Sequence, residues 1–544
     1  MSDGVVAGIA PELLAGFTDD AGRRILGGGR VGLEKEALRV TASGLVSTAP
    51  HPHGLGSALT HPCITTDFSE ALLELVTPAV ATAAEALATL DDLHRFVYRQ
   101  IDDERLWATS MPCVLHGGAR IPLAEYGTSN AARMKTIYRR GLGNRYGRVM
   151  QIIAGVHFNY SADEAIWPRL AALPPVAGVD QSGDAQALRS ARYMGMVRNL
   201  QRLGWLVPYL FGASPAVCKS FVQDAATDLE SFDARTYYYP YATSLRMGDI
   251  GYQNRQEEGT GMKACYDSLD AYIKSLTWAI ETPCPQYESI GVKVNGIYEQ
   301  LNDHVLQIEN EYYSTVRPKQ LTDWMERPTL ALRRRGVRYV ELRSLDVNAY
   351  HPLGIDAEQM AFLRLLMLYS LLTDSPRIDT RERRAIDTNQ VLAAHRGREP
   401  GLRLQAGAAM PTLRDWACAV LDAMQPLAEL LDVGADGSYG RSLAAQRAKA
   451  EDPELTPSAS MLAEMRARGE GFAEFARRLT EQHRGDFLST PPSPERAAWL
   501  DDLTATSRDR QHAIEAADDI DFDEFLHRYF AQSEQQPVAL RAPV

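Results

Sequence analysis

Several short segments of this chain alternate apolar and polar residues, and most of their polar positions are carboxylates. Side chains two positions apart on a β-strand point to the same face of a sheet. Glu34 and Glu36 therefore share one face of a predicted strand, and Glu341 and Arg343 share one face of another. Antiparallel sheets commonly pack one face against a core and leave the other polar. The alternation predicts a mainly antiparallel sheet with helices on its apolar face.

Three further segments contribute to the same pattern. Residues 151–160 and 305–311 alternate in the same way and are predicted to be strands. Residues 65–78 add Asp67 and Glu74 to this pattern, but their periodicity leaves helix and strand both open for the second half. The polar residues that the alternation places on one face are Gln151, His157 and Asn159 of the first segment and Gln307, Glu309 and Glu311 of the second.

The polar faces, taken together, are rich in carboxylates and contain one histidine. Any one of these strands is explained by an ordinary solvated face. Clustered carboxylates, however, repel one another and raise one another's pKa unless cations neutralise them. Oxygen-rich sites with at most one imidazole suit Mg²⁺ or Mn²⁺ better than zinc or copper. The set therefore predicts a divalent-cation site of the kind that serves phosphate chemistry.

Charge and motif content exclude several classes of function. The 544 residues carry 57 Lys and Arg against 70 Asp and Glu, for a net charge of −13. A non-specific nucleic-acid binder would carry the opposite balance. The chain also lacks a Gly-x-x-x-x-Gly-Lys-Ser/Thr phosphate loop. We expect neither a nucleic-acid partner nor a P-loop enzyme.

The sequence lacks three features that are typical of secreted or membrane proteins. The N-terminus has no basic region of the kind that opens a signal peptide, and no apolar run reaches the roughly 20 residues of a membrane-spanning helix. The six cysteines are scattered and form no C-x-x-C pair, which argues against a disulfide framework or a cysteine-based zinc site. We expect a soluble, cytoplasmic protein without a membrane partner.

The composition changes along the chain and suggests three parts. They are a helical lead-in at 1–28 that ends in a triple glycine, a domain of mixed strand and helix patterns at 29–375, and a helical region at 376–544. Within the second part, 81–101 has the spacing of an amphipathic helix. Asp356 and Gln359 form a capping pair for an apolar helix over 360–372.

Seven motifs, taken together, resemble the proteobacterial type of glutamate–cysteine ligase, also called γ-glutamylcysteine synthetase. The motifs are Gly32–Glu36, Ile64–Phe68, Tyr126–Asn130, Gly155–His157, Pro208–Pro215, Gln307–Glu311 and Glu341–Asp346. They occur in family order and spacing over about 30–375. Beyond 380 the resemblance is limited to a helical tail.

The resemblance implies a glutamine-synthetase-like α+β fold: a curved, mainly antiparallel sheet with helices on its outer face and a helical C-terminal region. It implies that ATP phosphorylates the γ-carboxylate of L-glutamate and that the amine of L-cysteine then attacks the acyl phosphate. This is the first step of glutathione biosynthesis. ATP and two or three Mg²⁺ or Mn²⁺ ions are the implied cofactors, and glutathione is the implied feedback ligand.

Matching positions to the family assigns roles to individual residues. The implied metal ligands are Glu34, Glu36, Asp67, Glu74, His157 and Glu341. Arg343 and Arg139 match phosphate or substrate-carboxylate partners, with the division of roles between them open. The implied lining of the cysteine pocket is Phe68, Tyr138, Leu142, Gln151, Arg246 and Tyr252. For Phe68 and Leu142, core packing alone is the competing explanation.

Two other functions compete with this one. The first is a carboxylate–amine ligase of the same fold that uses an amine other than cysteine. The second is a non-catalytic, ligand-binding relative, which the complete carboxylate set disfavours. The residues after 375 amount to about one domain. That length looks too short for the ATP-grasp domain of fused glutathione synthesisers, so only the first step is expected.

Overall fold

A computed structural model describes residues 6–112, 120–222, 227–251 and 263–533 of the chain. Its main sheet has seven strands in the order β11-β12-β5-β1-β3-β2, with β4 paired to β1, and two small sheets have the orders β6-β8-β7 and β10-β9. The strands are β1 (Arg30–Val40), β2 (Ile64–Thr66), β3 (Leu72–Val76), β4 (Arg105–Leu106), β5 (Gly155–Ser161), β6 (Ala216–Cys218), β7 (Glu230–Ser231), β8 (Thr236–Tyr238), β9 (Lys293–Val294), β10 (Ile297–Tyr298), β11 (Val316–Lys319) and β12 (Tyr339–Asp346).

The long strand β1 lies at the centre of the main sheet, and its alternating residues separate the two faces. All pairings between the named strands are antiparallel. Leu33 lies opposite Phe158 of β5, and both are buried in the core, whereas the next residue, Glu34, lies opposite His157 on the other face. The predicted antiparallel sheet with one apolar and one carboxylate-bearing face is confirmed.

Helices make up about half of the described chain. They are α1 (Pro11–Ala15), α2 (Asp20–Leu26), α3 (Ala83–Tyr98), α4 (Asn130–Tyr146), α5 (Ile166–Ala171), α6 (Ala185–Arg202), α7 (Leu206–Phe211), α8 (Lys219–Val222), α9 (Leu269–Glu281), α10 (Pro285–Glu288), α11 (Pro328–Arg335), α12 (Ala357–Leu372), α13 (Thr380–Arg396), α14 (Leu413–Asp432), α15 (Ser438–Glu451), α16 (Pro457–Arg468), α17 (Phe472–Ser489), α18 (Pro494–Ala516) and α19 (Phe522–Phe530).

The two helices predicted from the middle of the sequence are confirmed, and both pack on the apolar face of the sheet. Helix α3 begins after Thr82, whose side chain accepts a hydrogen bond from the backbone N–H of Glu85 in a reciprocal capping box. Helix α12 begins after Asp356, whose carboxylate accepts a 2.7 Å hydrogen bond from the N–H of Gln359. These caps satisfy N–H groups that would otherwise lack partners.

Two predicted strands differ from the structure. The segment 305–311 is not a strand but ends in a 3₁₀ turn at Glu309–Glu311. Its backbone makes no strand pairing: the N–H of Leu306 donates to the carbonyl of Ala279 at 3.0 Å, and the N–H of Gln307 donates to Glu311 Oε2 at 2.7 Å. The Gln307 side chain in turn accepts from the N–H of Leu301 at 3.0 Å. Gln151, predicted on the strand at 151–160, lies in a 3₁₀ turn before β5.

The undecided segment 65–78 forms strands, because β2 and β3 pair as an antiparallel hairpin. The region after Leu372 is helical throughout its described elements, α13 to α19, as predicted. Among the described cysteines, four are free thiols and Cys218 is disulfide-bonded, which the sequence did not predict. No helix of the described segments is long and apolar enough to cross a membrane.

Candidate active site

Strand pairing brings together carboxylates that are far apart in the sequence. On β1, Glu34 lies opposite His157 of β5, and Glu36 lies opposite Glu74 of β3. Strand β12 pairs with the other edge of β5 and adds Glu341. Because these positions fall on the same side of neighbouring strands, their side chains meet at the centre of the polar face.

The distances within this cluster suit a divalent cation. His157 Nδ1 lies 3.1 Å from Glu34 Oε2, and His157 Nε2 lies 4.0 Å from Glu36 Oε1. One ligand atom from each of Glu34, Glu74 and His157 falls within 4.8 Å of the other two. Several carboxylate oxygens with a single imidazole form a donor set that fits Mg²⁺ or Mn²⁺.

Part of the cluster is neutralised by basic side chains of the protein. We call Glu34 and Glu341, together with Lys319 and Arg343, the cation-rich half. Lys319 Nζ lies 3.3 Å from Glu341 Oε1, and Arg343 Nη1 lies 3.2 Å from Glu341 Oε2. Burial opposes ionisation of Glu341, but Lys319 and Arg343 hold its pKa well below the usual value. In this half the negative charges of the carboxylates are therefore balanced by the positive charges of Lys319 and Arg343.

The other part of the cluster has fewer cations beside it. We call Glu36, Glu74 and Asp67 the cation-poor half. Burial, reinforced by the charge of Asp67, raises the pKa of Glu36 to about 8. Burial and the neighbouring charge of Glu34 raise the pKa of Glu74 well above its usual value. Glu36 and Glu74 become stable as anions only when further positive charge is supplied, as bound divalent ions would do.

Arg139 of α4 approaches the cation-poor half from above the sheet. Its Nε donates a hydrogen bond to the backbone carbonyl of Asp67, and its Nη2 lies 4.0 Å from Asp67 Oδ1. The guanidinium also stacks over the ring of Tyr126, with 4.7 Å to the ring centroid. Arg139 and Arg343 thus belong to opposite halves of the cluster, and both line the space between α4 and the sheet.

Three cavities that share lining residues lie at the polar face of the sheet, and two of them are lined by the clustered carboxylates. The central cavity, of about 610 Å³, contains both halves of the cluster together with α4 residues and the segment after β11. The α4-side cavity, of about 120 Å³, is lined by residues that include Tyr138, Leu142, Tyr146, Gln151, Arg246 and Tyr313. The β11-side cavity, of about 330 Å³, is lined by residues that include Tyr272, Leu276, Glu309, Lys319, Leu332 and Tyr339.

Four of the six residues predicted for the cysteine pocket line the α4-side cavity, namely Tyr138, Leu142, Gln151 and Arg246. Arg246 is buried at its base, where Nη2 donates to the carbonyl of Arg343 at 2.9 Å. Phe68 is only 1% exposed, packs in the core, and is absent from the described lining of the cavity. Tyr252 lies outside the described residues.

Sequence reasoning missed two basic residues of the site, Arg317 and Lys319. Both lie on β11 and line the central cavity, and Arg317 is opposite Glu341 in the register with β12. The alternation of apolar and basic residues in Val316–Lys319 carried the signal. The proline within this short run obscured it, because proline within a run argues against a central strand.

A family model described as glutamate-cysteine ligase matches residues 14–392, which is more than half of the chain. The chain belongs to the glutamate–cysteine ligase family. Curated relatives with that name include proteins of Pseudomonas paraeruginosa and Alcanivorax borkumensis. Each is 45% identical; they cover 92% and 93% of this chain, and 94% and 96% of the relatives' own lengths.

Two solved structures show how far the family fold extends. The glutamate–cysteine ligase of Francisella tularensis, crystallised in complex with AMP, is 34% identical and superimposes with a TM-score of 0.86 over 92% of this chain and 97% of its own. A bifunctional glutathione synthetase from Pasteurella multocida is 22% identical, with a TM-score of 0.69. It shares the fold over 89% of this chain, which corresponds to 57% of the Pasteurella chain.

Proposed function

We propose that this protein joins the γ-carboxylate of L-glutamate to the amino group of L-cysteine with hydrolysis of ATP, yielding γ-glutamylcysteine, ADP and phosphate. The observation that carries the proposal is the convergence of carboxylates and one histidine with Arg343, Arg139 and Lys319 on one sheet face. Family membership supports the choice of substrates. The reaction is the first step of glutathione biosynthesis.

The chemistry explains why such a site needs both acidic and basic groups. A carboxylate is a poor electrophile, and its phosphorylation creates a leaving group. The proposed ligands of two or three Mg²⁺ or Mn²⁺ ions are Glu34, Glu36, Asp67, Glu74, His157 and Glu341. Bound ions of this kind neutralise the charge between a triphosphate and a substrate carboxylate. Arg343 and Arg139 are proposed to bind phosphate or carboxylate oxygens from the two sides of the cluster.

The amine substrate is assigned to the α4-side cavity. Arg246 has the fork of N–H donors needed to hold a substrate carboxylate. Tyr138 and Leu142 offer a largely apolar wall, where a thiol packs as a small hydrophobe and a hydroxyl loses hydrogen bonds to water. Gln151 completes the described lining. Phe68 and Tyr252 remain proposals from the family resemblance alone.

The broader assignments rest on the family. We propose a cytoplasmic location, feedback inhibition by glutathione, and the division of the chain into a lead-in at 1–28, a catalytic domain at 29–375 and a helical region at 376–544. L-glutamate, L-cysteine and ATP are the proposed small-molecule partners.

A test is ADP release by the purified protein with ATP, Mg²⁺ and L-glutamate, while only the amine is varied. We expect rapid release with cysteine, slower release with 2-aminobutyrate, which lacks the sulfur, and little release with serine or no amine. Faster release with another amine would instead identify a ligase of different amine specificity. An absence of turnover with every amine, despite nucleotide binding, would indicate a binding protein.

A further inference from the structure

Three of the seven family motifs meet around Arg246, which lines the α4-side cavity and is only 2% exposed. They are Gly155–His157 at the start of β5, Pro208–Pro215 in and after α7, and Glu341–Asp346 on β12. The proposed function gives no role to Pro208–Pro215 or to the last residue of the third motif, Asp346. Their contacts supply one.

Asp346 is a buried carboxylate beside Arg246. Its Oδ2 accepts hydrogen bonds from the N–H of Ala213, at 2.9 Å, and from the hydroxyl of Ser214. Its Oδ1 accepts from the hydroxyl of Ser244 at 2.9 Å and lies 3.8 Å from Arg246 Nη1. Three donors and one cation thus surround a residue that is 2% exposed. The protein alone fixes the carboxylate in place.

A bulge in β12 directs a second group at the same arginine. Strand β12 pairs regularly with β5 up to Leu342 and again from Leu345, but the two residues between them lie opposite one residue of β5. Such a bulge leaves backbone groups outside the regular ladder. The carbonyl of Arg343, within the bulge, accepts a 2.9 Å hydrogen bond from Arg246 Nη2. One nitrogen of the guanidinium is therefore bound to this carbonyl, and the other lies near Asp346.

A glycine leaves room for the guanidinium. Gly155 lies opposite Asp346 in the register of β5 with β12, and a Cβ atom at this position would overlap with Arg246 Nη2. Glycine in a strand often marks such a close approach. The N–H of Gly155 also donates to Glu36 Oε2 at 2.6 Å. Arg246 therefore packs against the backbone that positions one of the proposed metal ligands.

The backbone that carries Arg246 is tied to the same carboxylate. Ser244 immediately precedes the 3₁₀ turn Leu245–Met247, and its hydroxyl donates to Asp346. The first N–H of that turn donates to the carbonyl of Ser214 at 2.7 Å. Both ends of the arginine, its backbone and its guanidinium, thus depend on the surroundings of one aspartate.

We infer that Asp346 is a positioning residue for Arg246 and thereby sets how tightly the amine substrate is held by its carboxylate. This inference rests on the proposed function, which assigns the substrate carboxylate to Arg246. Asp346 itself is absent from the described lining of the three cavities, so it acts through the arginine. A guanidinium binds a carboxylate best when its donors point in fixed directions. The site therefore selects amines that carry a carboxylate.

Charge and position predict opposite results when Asp346 is neutralised. By charge alone, loss of an anion beside Arg246 should strengthen the binding of a substrate carboxylate. Loss of position should weaken it. Ser244→Ala isolates position, because it removes a hydrogen bond from the Asp346 carboxylate and leaves the charge in place.

The test compares L-cysteine with cysteamine, which has the same amine and thiol but no carboxylate. We expect Asp346→Asn to raise the KM for cysteine about tenfold. Ser244→Ala, which removes one hydrogen bond, should raise it about threefold. The inhibition constant of cysteamine against cysteine should hardly change, and neither should kcat or the KM for ATP or glutamate.

Glu104→Gln is the matched control. Glu104 forms a 2.5 Å ion pair with the buried Arg39, and neither residue is in the described lining of the three cavities. This variant also neutralises a carboxylate beside a buried arginine, but it should leave all of these constants unchanged.

The remaining outcomes separate the inference from the function it rests on. If Asp346→Asn lowers the KM for cysteine or leaves it unchanged, Asp346 does not position Arg246 and the inference is wrong. If cysteine and cysteamine weaken together in folded variants, Asp346 supports the cavity as a whole and the inference is also wrong. If Arg246→Met leaves the KM for cysteine unchanged, the assignment of the substrate carboxylate in the proposed function fails instead. Should Asp346→Asn not fold, Ser244→Ala gives the same test.

Discussion

The two halves of the carboxylate cluster lie on the same face of one sheet, but they reach electrical balance differently. In the cation-rich half, Glu341 contacts Lys319 and Arg343 at 3.3 and 3.2 Å, and its pKa is lowered. In the cation-poor half, burial and neighbouring carboxylates raise the pKa of Glu36 and of Glu74. A glutamate is thus stable as an anion in the cation-rich half and unstable as an anion in the cation-poor half.

The difference indicates which charges are permanent parts of the protein. A carboxylate paired with lysine and arginine is part of the folded structure, and removing it leaves buried cations unpaired. A carboxylate that lies among other carboxylates destabilises the metal-free fold. Its presence is explained by the divalent ions that it is proposed to bind. The predictions below test this contrast in order of decreasing effect.

Removal of divalent ions should have the largest effect. Metal ions contribute several kcal/mol of charge stabilisation in such reactions, so chelation should lower activity by more than about a hundredfold. Added Mg²⁺ or Mn²⁺ should restore it. Thermal unfolding should show a higher Tm with Mg²⁺, because a ligand of the native state stabilises it. Activity that persists after exhaustive chelation would contradict the metal assignment.

Two neutral substitutions should change the stability of the metal-free protein in opposite directions. Glu341→Gln should destabilise it by about 3 kcal/mol, the lower end for a broken buried ion pair, because the Lys319 side chain stays 30% exposed. Glu74→Gln should stabilise it by about 1 kcal/mol, since it removes one of several repelling carboxylates. Denaturant unfolding in EDTA measures both.

Activity measurements on Glu341→Gln and Glu74→Gln serve as the control for the stability measurements. Both variants should lose most turnover, and Glu74→Gln should also lose the rise in Tm that Mg²⁺ gives to wild type. If the two substitutions shift stability in the same direction, the division into two halves is wrong.

Removal of a permanent cation should make the cation-rich half behave like the other. Lys319→Met takes away the positive charge nearest Glu341 Oε1, so activity should fall about tenfold, and the Mg²⁺ concentration for half-maximal activity should fall because a charge that repels the ion is gone. Lys274→Met is the control, because Lys274 is 73% exposed and pairs with Asp270 on a helix surface. An unchanged Mg²⁺ dependence in Lys319→Met would show that Arg343 alone balances Glu341.

The smallest effect is expected at the α4-side cavity, next to the cation-poor half. Leu142→Ala removes part of the apolar wall and should cost about 1 kcal/mol of discrimination between cysteine and serine, the lower end for a missing group in an apolar pocket. The measurement is kcat/KM for cysteine, serine and 2-aminobutyrate in wild type and variant. The KM for ATP should hardly change, and an unaltered ranking of the amines would place the amine elsewhere.

The sequence predicted the parts of this site that depend on strand alternation. Glu34 and Glu36 were placed on one face because a strand has a period of two, and register then brought them to His157. The run 305–311 alternates equally well but is held by the side chains of Gln307 and Glu311, which no local period reveals. Tyr529 of α19 also lines the central cavity, and sequence reasoning missed it because its place there depends on tertiary packing against α4.

Transfer of oxygen from glutamate to phosphate tests the central claim most directly. If the γ-carboxylate attacks ATP and the cysteine amine then displaces phosphate, one carboxylate oxygen leaves with that phosphate. L-glutamate labelled with ¹⁸O in its γ-carboxylate, incubated with ATP, Mg²⁺ and cysteine, should give inorganic phosphate carrying one ¹⁸O for each γ-glutamylcysteine formed. Product formed with unlabelled phosphate would contradict the acyl-phosphate route and the function derived from it.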